Sequence, residues 1–230
     1  MSQASIQFNF SQQRVLITGG TSGMGEATAK AFVKAGANVV ISGRSLAKAQ
    51  TIMESLKAES GSIDFIAGDI SQSAECDRIV TQAVELLGEL DIIVNSAGVI
   101  HHATAEETTD EQWLETMSVN VNGMFYICRA AIPHLKATSG TIVNIASDAA
   151  LTGSNHLTAY CASKGAVLQM SRAMARDYAR DGIRIVPICP GDVDTPMLRG
   201  EFKDRGLDAE TGLKESAEAV PLNRVCSAEE

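Results

Sequence analysis

Apolar residues along this chain come in short runs, separated by longer stretches in which they recur every three or four positions. The runs are Arg14–Thr18, Asn38–Ser42, Ile63–Ala67, Ile92–Asn95, Thr141–Ala146 and Arg184–Ile188. Several are apolar from end to end, the pattern of parallel strands covered on both faces. The stretches between them predict helices. One follows the glycines at 19–25, with Ala27, Ala31, Phe32 and Ala35 on one side and an end at Gly36. The next spans Ser45–Ser60 with Ser45 as N-cap. A third spans Ala74–Leu87 and closes at Gly88. Glu111–Leu135 reads as one long helix bent near Asn122 and Gly123. Ala159–Tyr178 carries Val167, Met170, Met174 and Tyr178 on one stripe. Strand–helix alternation of this kind predicts an α/β fold, a Rossmann-type doubly wound parallel sheet. No repeat or linker interrupts it, so 1–230 reads as a single domain.

The segment after Thr195 is polar and helix-prone, and 192–225 is expected to cover a substrate. Ser227-Ala228-Glu229-Glu230 matches a capping box, which opens a helix. The expectation is therefore a chain truncated at its C-terminus, the natural protein running on by roughly one helix and one strand.

Composition narrows the class. The chain has 230 residues, 45% of them hydrophobic and 20% charged, ordinary values for a globular protein with a sizeable core. A net charge of −9 argues against nucleic acid or an anionic membrane as partner. The five cysteines (Cys76, Cys128, Cys161, Cys189, Cys226) are odd in number and widely spaced, which points to free thiols in a reducing compartment. The four histidines have no metal-ligand spacing, and no metal is expected. No apolar run reaches the ~18–20 residues of a membrane span, and no signal peptide is evident, so the cytoplasm is the expected location.

The first strand runs into Thr18-Gly19-Gly20-Thr21-Ser22-Gly23-Met24-Gly25, where a helix opens. Glycines at 19, 23 and 25 permit a tight turn, close approach of backbone to a pyrophosphate, and close helix–strand packing. Free N–H groups at the helix start then face the phosphates. The second strand ends in Ser42-Gly43-Arg44-Ser45. An acidic residue there would bind adenosine ribose hydroxyls. Here Gly43 removes that acid and Arg44 offers a planar fork for a 2′-phosphate, so NADP(H) is expected over NAD(H), with NAD(H) possible.

Tyr160 and Lys164 leave the same helix face, four residues apart. A cation beside a phenol favours the phenolate, and a tyrosine so tuned exchanges protons with an alcohol or ketone. Alone the spacing is equally that of a packed phenol beside a solvated amine.

The glycine spacing, Asn95-Ser96-Ala97-Gly98, Asn120, Ser147, Tyr160-x-x-x-Lys164 and Pro190-Gly191 occur in one order at suitable intervals. Together they closely resemble the short-chain dehydrogenase/reductase family in its compact single-domain branch, from Arg14 to about Thr195. The resemblance implies a role for each. Tyr160 is the general acid/base, and Lys164 lowers its pKa and holds the nicotinamide ribose. Ser147 binds the substrate oxygen. Asn120 bends its helix and holds a water of a proton relay. Asp69 and Ile70 contact adenine, while Asn95, Ala97 and Gly98 line the cofactor together with Gly19, Thr21, Ser22, Gly23, Met24 and Gly25. Val193 and Thr195, after Pro190 and Gly191, hold the carboxamide. Ser96 stands where the family often has a second Asn. Each residue also has a bland alternative: Ser147 caps a strand end, Asn120 satisfies buried backbone, Asp69 is a turn residue, Arg44 is solvated. His101, His102, Asp148 and His156 read as a wet loop near the pocket mouth.

The implied activity is hydride transfer between nicotinamide and a secondary alcohol or ketone. A 3-oxoacyl-thioester reductase, an NAD-preferring alcohol dehydrogenase and an NADP-binding regulatory protein are the alternatives. Partners are a small-molecule carbonyl or alcohol substrate and further copies of the chain, as a dimer or tetramer. Pairing between subunits would run through the helices 111–135 and 159–178, at small residues such as Ala130, Ala131, Ala166 and Ala173.

Overall fold

The computed structural model describes residues 8–230; residues 1–7, part of the stretch read for a signal peptide, lie outside the described residues. The elements in order are β1 (Arg14–Thr18), α1 (Gly23–Lys34), β2 (Asn38–Gly43), α2 (Leu46–Ser55), β3 (Ser62–Ala67), α3 (Ser73–Leu87), β4 (Ile92–Asn95), α4 (Asp110–Thr116), α5 (Met124–Thr138), β5 (Thr141–Ile145), α6 (Thr158–Tyr178), β6 (Arg184–Ile188), β7 (Val193–Asp194), α7 (Pro196–Asp204), α8 (Ala209–Glu218) and β8 (Cys226–Ser227).

Six strands form one parallel sheet in the order β3-β2-β1-β4-β5-β6. The order reverses between β1 and β4, and at such a switch point the loops leave in opposite directions and open a crevice at the carboxyl ends of the strands. Alternate residues of β1 serve opposite faces. Val15 and Ile17 pack with Ala29 and Val33 of α1 and with Ala49 and Ile52 of α2. Leu16 joins Ile79 and Val80 of α3, Ile127 and Leu135 of α5, and Val167 of α6. The end-to-end apolar runs are thus explained by burial on both sides.

Three helices differ from the sequence reading. On α1 the buried stripe is Gly25, Ala29 and Val33, while Ala31 is exposed and Ala27, Phe32 and Ala35 are half-buried. The glycine face turns inward because it lets the helix close on the strand-end turn: a Cβ at Gly25 would stand 2.3 Å from the carbonyl oxygen of Gly19. Helix α2 ends at Ser55, five residues before the expected Ser60. The chain must leave it to pass close to α1, and a Cβ at Gly61 would lie 2.1 Å from the oxygen of Ala37. The long helix expected over 111–135 is interrupted by a π-helical stretch, Met117–Gly123, between α4 and α5. A capping box of Thr109 and Gln112 fixes its start. Gly123 is needed at the end of the stretch because Ile70 packs against it; a Cβ there would meet the Ile70 side chain at 2.8 Å.

Beyond the sheet, β7 pairs in parallel with β8 through Val193–Cys226 and Asp194–Ser227. The segment between them carries α7 and α8, packed through Phe202, which is fully buried, and Gly212, whose hydrogens face that ring. At the far end, Ser227 N–H donates to Glu230 Oε2 at 3.0 Å, the reciprocal half of the capping box read from this sequence.

A polar chain runs through the apolar layer beneath β4 and β5. Asn95 Nδ2 donates to Asn144 Oδ1 at 2.9 Å, and Asn144 Nδ2 donates to Ser171 Oγ at 2.8 Å. Buried amides left without partners cost the full desolvation of the group. Asn144→Ala is expected to lower the unfolding free energy by about 1–3 kcal/mol in urea denaturation.

Candidate active site

The crevice at the switch point is floored by the turn after β1, where Gly19 (φ +68°) and Gly23 (φ +53°) adopt backbone conformations that glycine accepts at little cost. Thr21, Ser22, Met24, Ala97 and Gly98 line it, as do Arg44 after β2, Asp69 and Ile70 after β3, and Thr195 before α7. Sequence reasoning missed Ser42, Gly68, Val99, Val119, Pro196 and Met197 in this lining. Their only sequence signal is position at or just beyond a strand or helix end. The Ser22 side chain does not cap α1. The first-turn N–H groups are thereby left to an anion, which suits a pyrophosphate. A crevice with these backbone N–H groups, no room for a Cβ at Gly25, and a guanidinium at the end of β2 fits a dinucleotide.

Several residues expected at the cofactor sit elsewhere. Asn95 is buried and turns into the polar chain under the sheet, donating to Asn144 and to Cys128 Sγ, while its neighbour Ser96 lines the crevice. The pleat explains it, because successive side chains at a strand end point to opposite faces. Pro190, Gly191 and Val193 do not line the crevice. The carbonyl oxygen of Pro190 accepts from Asp148 N–H at 2.9 Å, Gly191 faces the Asp148 carboxylate, and Val193 is held in the β7–β8 pair.

Asn120 and Lys164 stand beside Gly98, with Tyr160 next to Lys164 and Ser147 near the Tyr160 phenol. A Cβ on Gly98 would lie 3.2 Å from Asn120 Oδ1 and 3.7 Å from Lys164 Nζ, so this glycine is the thin wall between crevice and side-chain cluster. Asn120, in the middle of the π-helical stretch, ties three segments together. Its Oδ1 accepts from Val99 N–H at 2.8 Å, and its Nδ2 donates to the Val99 carbonyl at 2.9 Å and to Ser163 Oγ at 3.0 Å. The wider π turn carries this side chain towards α6, a common use of such segments.

Lys164 is 5% exposed, and its ammonium donates to the Ile145 carbonyl at the end of β5, at 2.7 Å. Burial pushes its pKa down to about 8. Its Nζ is 5.5 Å from the centroid of the Tyr160 ring. Tyr160 departs from the expectation of a lowered pKa. Burial pushes the phenol up to about 12; a hydrogen bond with Ser147 opposes the rise, and the charges of Asp148 and Glu201 add to it. The lysine's bond is to that carbonyl, and it makes none to the phenol among the described residues. Ser147 is 8% exposed at the end of β5, and its Oγ accepts from Ala149 N–H at 3.1 Å.

A doubly wound parallel sheet with a glycine-lined crevice at its switch point defines a dinucleotide-binding α/β protein. A short-chain dehydrogenase family model matches residues 13–206, and the chain belongs to that family. It is 38% identical over 223 residues to an uncharacterized oxidoreductase of Thermotoga maritima, covering 96% of this chain and 88% of the relative. It is 35% identical over 200 residues to a 3beta-hydroxysteroid dehydrogenase of Mediterraneibacter gnavus, covering 86% of this chain and 72% of the relative. Levodione reductase superimposes with a TM-score of 0.88 at 28% identity, over 96% of this chain and 88% of that one. The protein is thus an oxidoreductase for alcohol- or ketone-type substrates, with NAD(H) or NADP(H) as cofactor. Among the described residues no helix is long and apolar enough to cross a membrane, and no cluster of three metal-ligating side chains occurs.

The buried ammonium gives a stability test. An unfolded lysine titrates near 10.5 and the folded one near 8, so between those values the unfolded chain binds more protons and folding stability rises with pH. Below pH 8 the folded state bears the cost of the buried charge. In cofactor-free protein, Lys164→Met is expected to be more stable than wild type at pH 7 by about 1–3 kcal/mol in urea denaturation. The difference should narrow as pH rises through 8 towards 10.5.

Proposed function

We propose that the protein is an NADP(H)-dependent oxidoreductase that moves a hydride between nicotinamide and a secondary alcohol or ketone, with Tyr160 as general acid/base. The observation that carries this reading is the convergence of Asn120, Ser147, Tyr160 and Lys164 behind Gly98, at one wall of the glycine-lined crevice. When bound, the nicotinamide supplies or accepts the hydride. The chain's own groups manage the proton and the geometry. Ser147 holds the substrate oxygen beside the phenol. Tyr160 gives that oxygen its proton in reduction and takes it back in oxidation. A half-buried phenol with a raised pKa is protonated at neutral pH, the form that reduction needs. Oxidation needs the phenolate, and the Lys164 ammonium is the neighbouring cation that favours it. Asn120, through Ser163 and the Val99 backbone, holds the lysine's surroundings in register and lies on the proton's route to solvent.

Arg44 is exposed at the mouth of the adenosine end and has no acidic partner among the described residues, which supports its use on a 2′-phosphate. Asp69 and Ile70 flank the adenine, Ala97 and Gly98 the nicotinamide ribose, and Thr195 the carboxamide. Pro190, Gly191 and Val193 shape the turn that leads to Thr195. The segment 192–225, with α7 and α8, covers the substrate. A cytoplasmic homo-oligomer, dimer or tetramer, is the proposed working form. The partly exposed Phe125 on α5 and the exposed Ala173 on α6 support pairing through these helices, whereas Ala131 faces the protein's own core.

Tyr160→Phe is expected to bind NADPH as wild type does, by cofactor fluorescence, while turnover of a ketone panel falls by roughly 10²–10⁴-fold. Near wild-type turnover would refute the role. Arg44→Glu is expected to weaken NADPH binding by roughly tenfold or more and leave NADH binding nearly unchanged, in fluorescence titration.

A further inference from the structure

Asp148 directly follows Ser147, and its carboxylate is held in a fixed place. The Ser147 hydroxyl donates to Asp148 Oδ1 at 3.0 Å. Ala149 N–H donates to the same Oδ1 at 2.8 Å and to Ser147 Oγ at 3.1 Å. Asp148 N–H is itself tied to the Pro190 carbonyl. The aspartate is therefore part of a tight turn at the end of β5, on the pocket side of the sheet.

A serine hydroxyl has one proton and two lone pairs. In this arrangement the proton goes to Asp148 and one lone pair to Ala149 N–H. The proton that a Tyr160 phenolate would draw on is thus already engaged by Asp148. Yet both a substrate carbonyl and a Tyr160 phenolate need a hydrogen bond donated by Ser147. The same proton cannot serve Asp148 and either of these.

We infer that Asp148 is a positioning residue for the reaction: its carboxylate takes the single hydroxyl proton of Ser147, and Ser147 must release it before donating to a substrate oxygen or to the phenolate. This rests on the reading of Ser147 and Tyr160 given above. A hydrogen bond to a charged acceptor is roughly twice as strong as one between neutral groups, so the carboxylate is a strong competitor and an amide a weaker one. A Ser147 proton held by Asp148 is withheld from the phenolate of Tyr160, which favours the protonated phenol. The other groups acting on Tyr160 are Glu201 of α7 and Cys161 of α6, with the Lys164 ammonium beside its ring. Burial raises the pKa of Glu201 itself. None of these three touches Ser147.

The test needs no knowledge of the substrate. Tyrosinate absorbance is titrated in protein saturated with NADP+, and the Tyr160→Phe protein is subtracted to isolate the signal of Tyr160. Asp148→Asn keeps an acceptor oxygen in place and removes the charge; it is expected to move the Tyr160 midpoint to lower pH by about one unit. The same substitution in a Ser147→Ala background is expected to move it by less than half as much, because no hydroxyl is left to swing from position 148 to the phenolate. Equal shifts in both backgrounds would reduce Asp148 to a through-space charge and overturn the proposal, as would no shift in either. Asp148→Ala provides a second removal of the acceptor, with the same expected direction, should the asparagine protein fold poorly. Loss of turnover in Tyr160→Phe is read separately, so failure of the Tyr160 assignment is distinguishable from failure of this one.

Discussion

Keeping the ammonium of Lys164 inside the protein is the constraint around which the catalytic half of the molecule is arranged. A buried cation is tolerated only where oxygen atoms are aimed at it. Here the carbonyl of Ile145 is left free for this at the end of β5, the last residue of the strand. Together with the Asn144–Ser171 bond and the core contacts of Val167, that bond holds α6 across the sheet. It also brings Ser147, two residues beyond Ile145, to the same spot as Tyr160, one helical turn before Lys164. Gly98 keeps the wall thin, since a Cβ there would press on Asn120 Oδ1 at 3.2 Å. The π-helical detour at 117–123 is the other half of the arrangement, since it delivers the amide of Asn120 to Val99 and Ser163 at once.

The opposite half obeys a steric rule rather than an electrostatic one. Helix α1 approaches so closely that the Gly25 hydrogens face the Gly19 carbonyl, and a phosphate-sized space with unspent N–H groups remains in front of it. The two halves meet at the reversal of strand order between β1 and β4, and helices cover both faces of the sheet they share. A site assembled from the ends of five different strands is thereby held by the most buried part of the fold.

Much of this was legible in the chain. The six strands were readable because burial on both faces leaves them apolar throughout, and the cofactor turn because Gly19, Gly23 and Gly25 answer a steric need that few other sequences meet. What escaped reading depends on neighbours distant in sequence. The stripe of α1 was misread because hydrophobicity favours Ala27 and Ala31 over Gly25, whereas close approach selects the glycine. Asn95 looked like a cofactor ligand, but the pleat sends it inward to Asn144, forty-nine positions away. The phenol of Tyr160 was expected to be acidified by Lys164; the spacing was right, but spacing does not report the desolvation that raises the phenol's pKa in the folded chain. The π turn around Asn120 leaves no periodic trace beyond the Gly123 at its end.

The short β7–β8 pair gives the segment between Thr195 and Val225 a particular mechanical character. Its two ends are joined by Asp194 and Ser227, so it is a tethered loop and not a tail, and most of the entropy of a free segment is already lost before anything binds. The two helices it carries are joined to each other through Phe202 and Gly212 more than to the sheet. Thr195, Pro196 and Met197, where this tethered unit begins, are themselves part of the crevice wall, so the cofactor crevice and the tethered unit share one boundary.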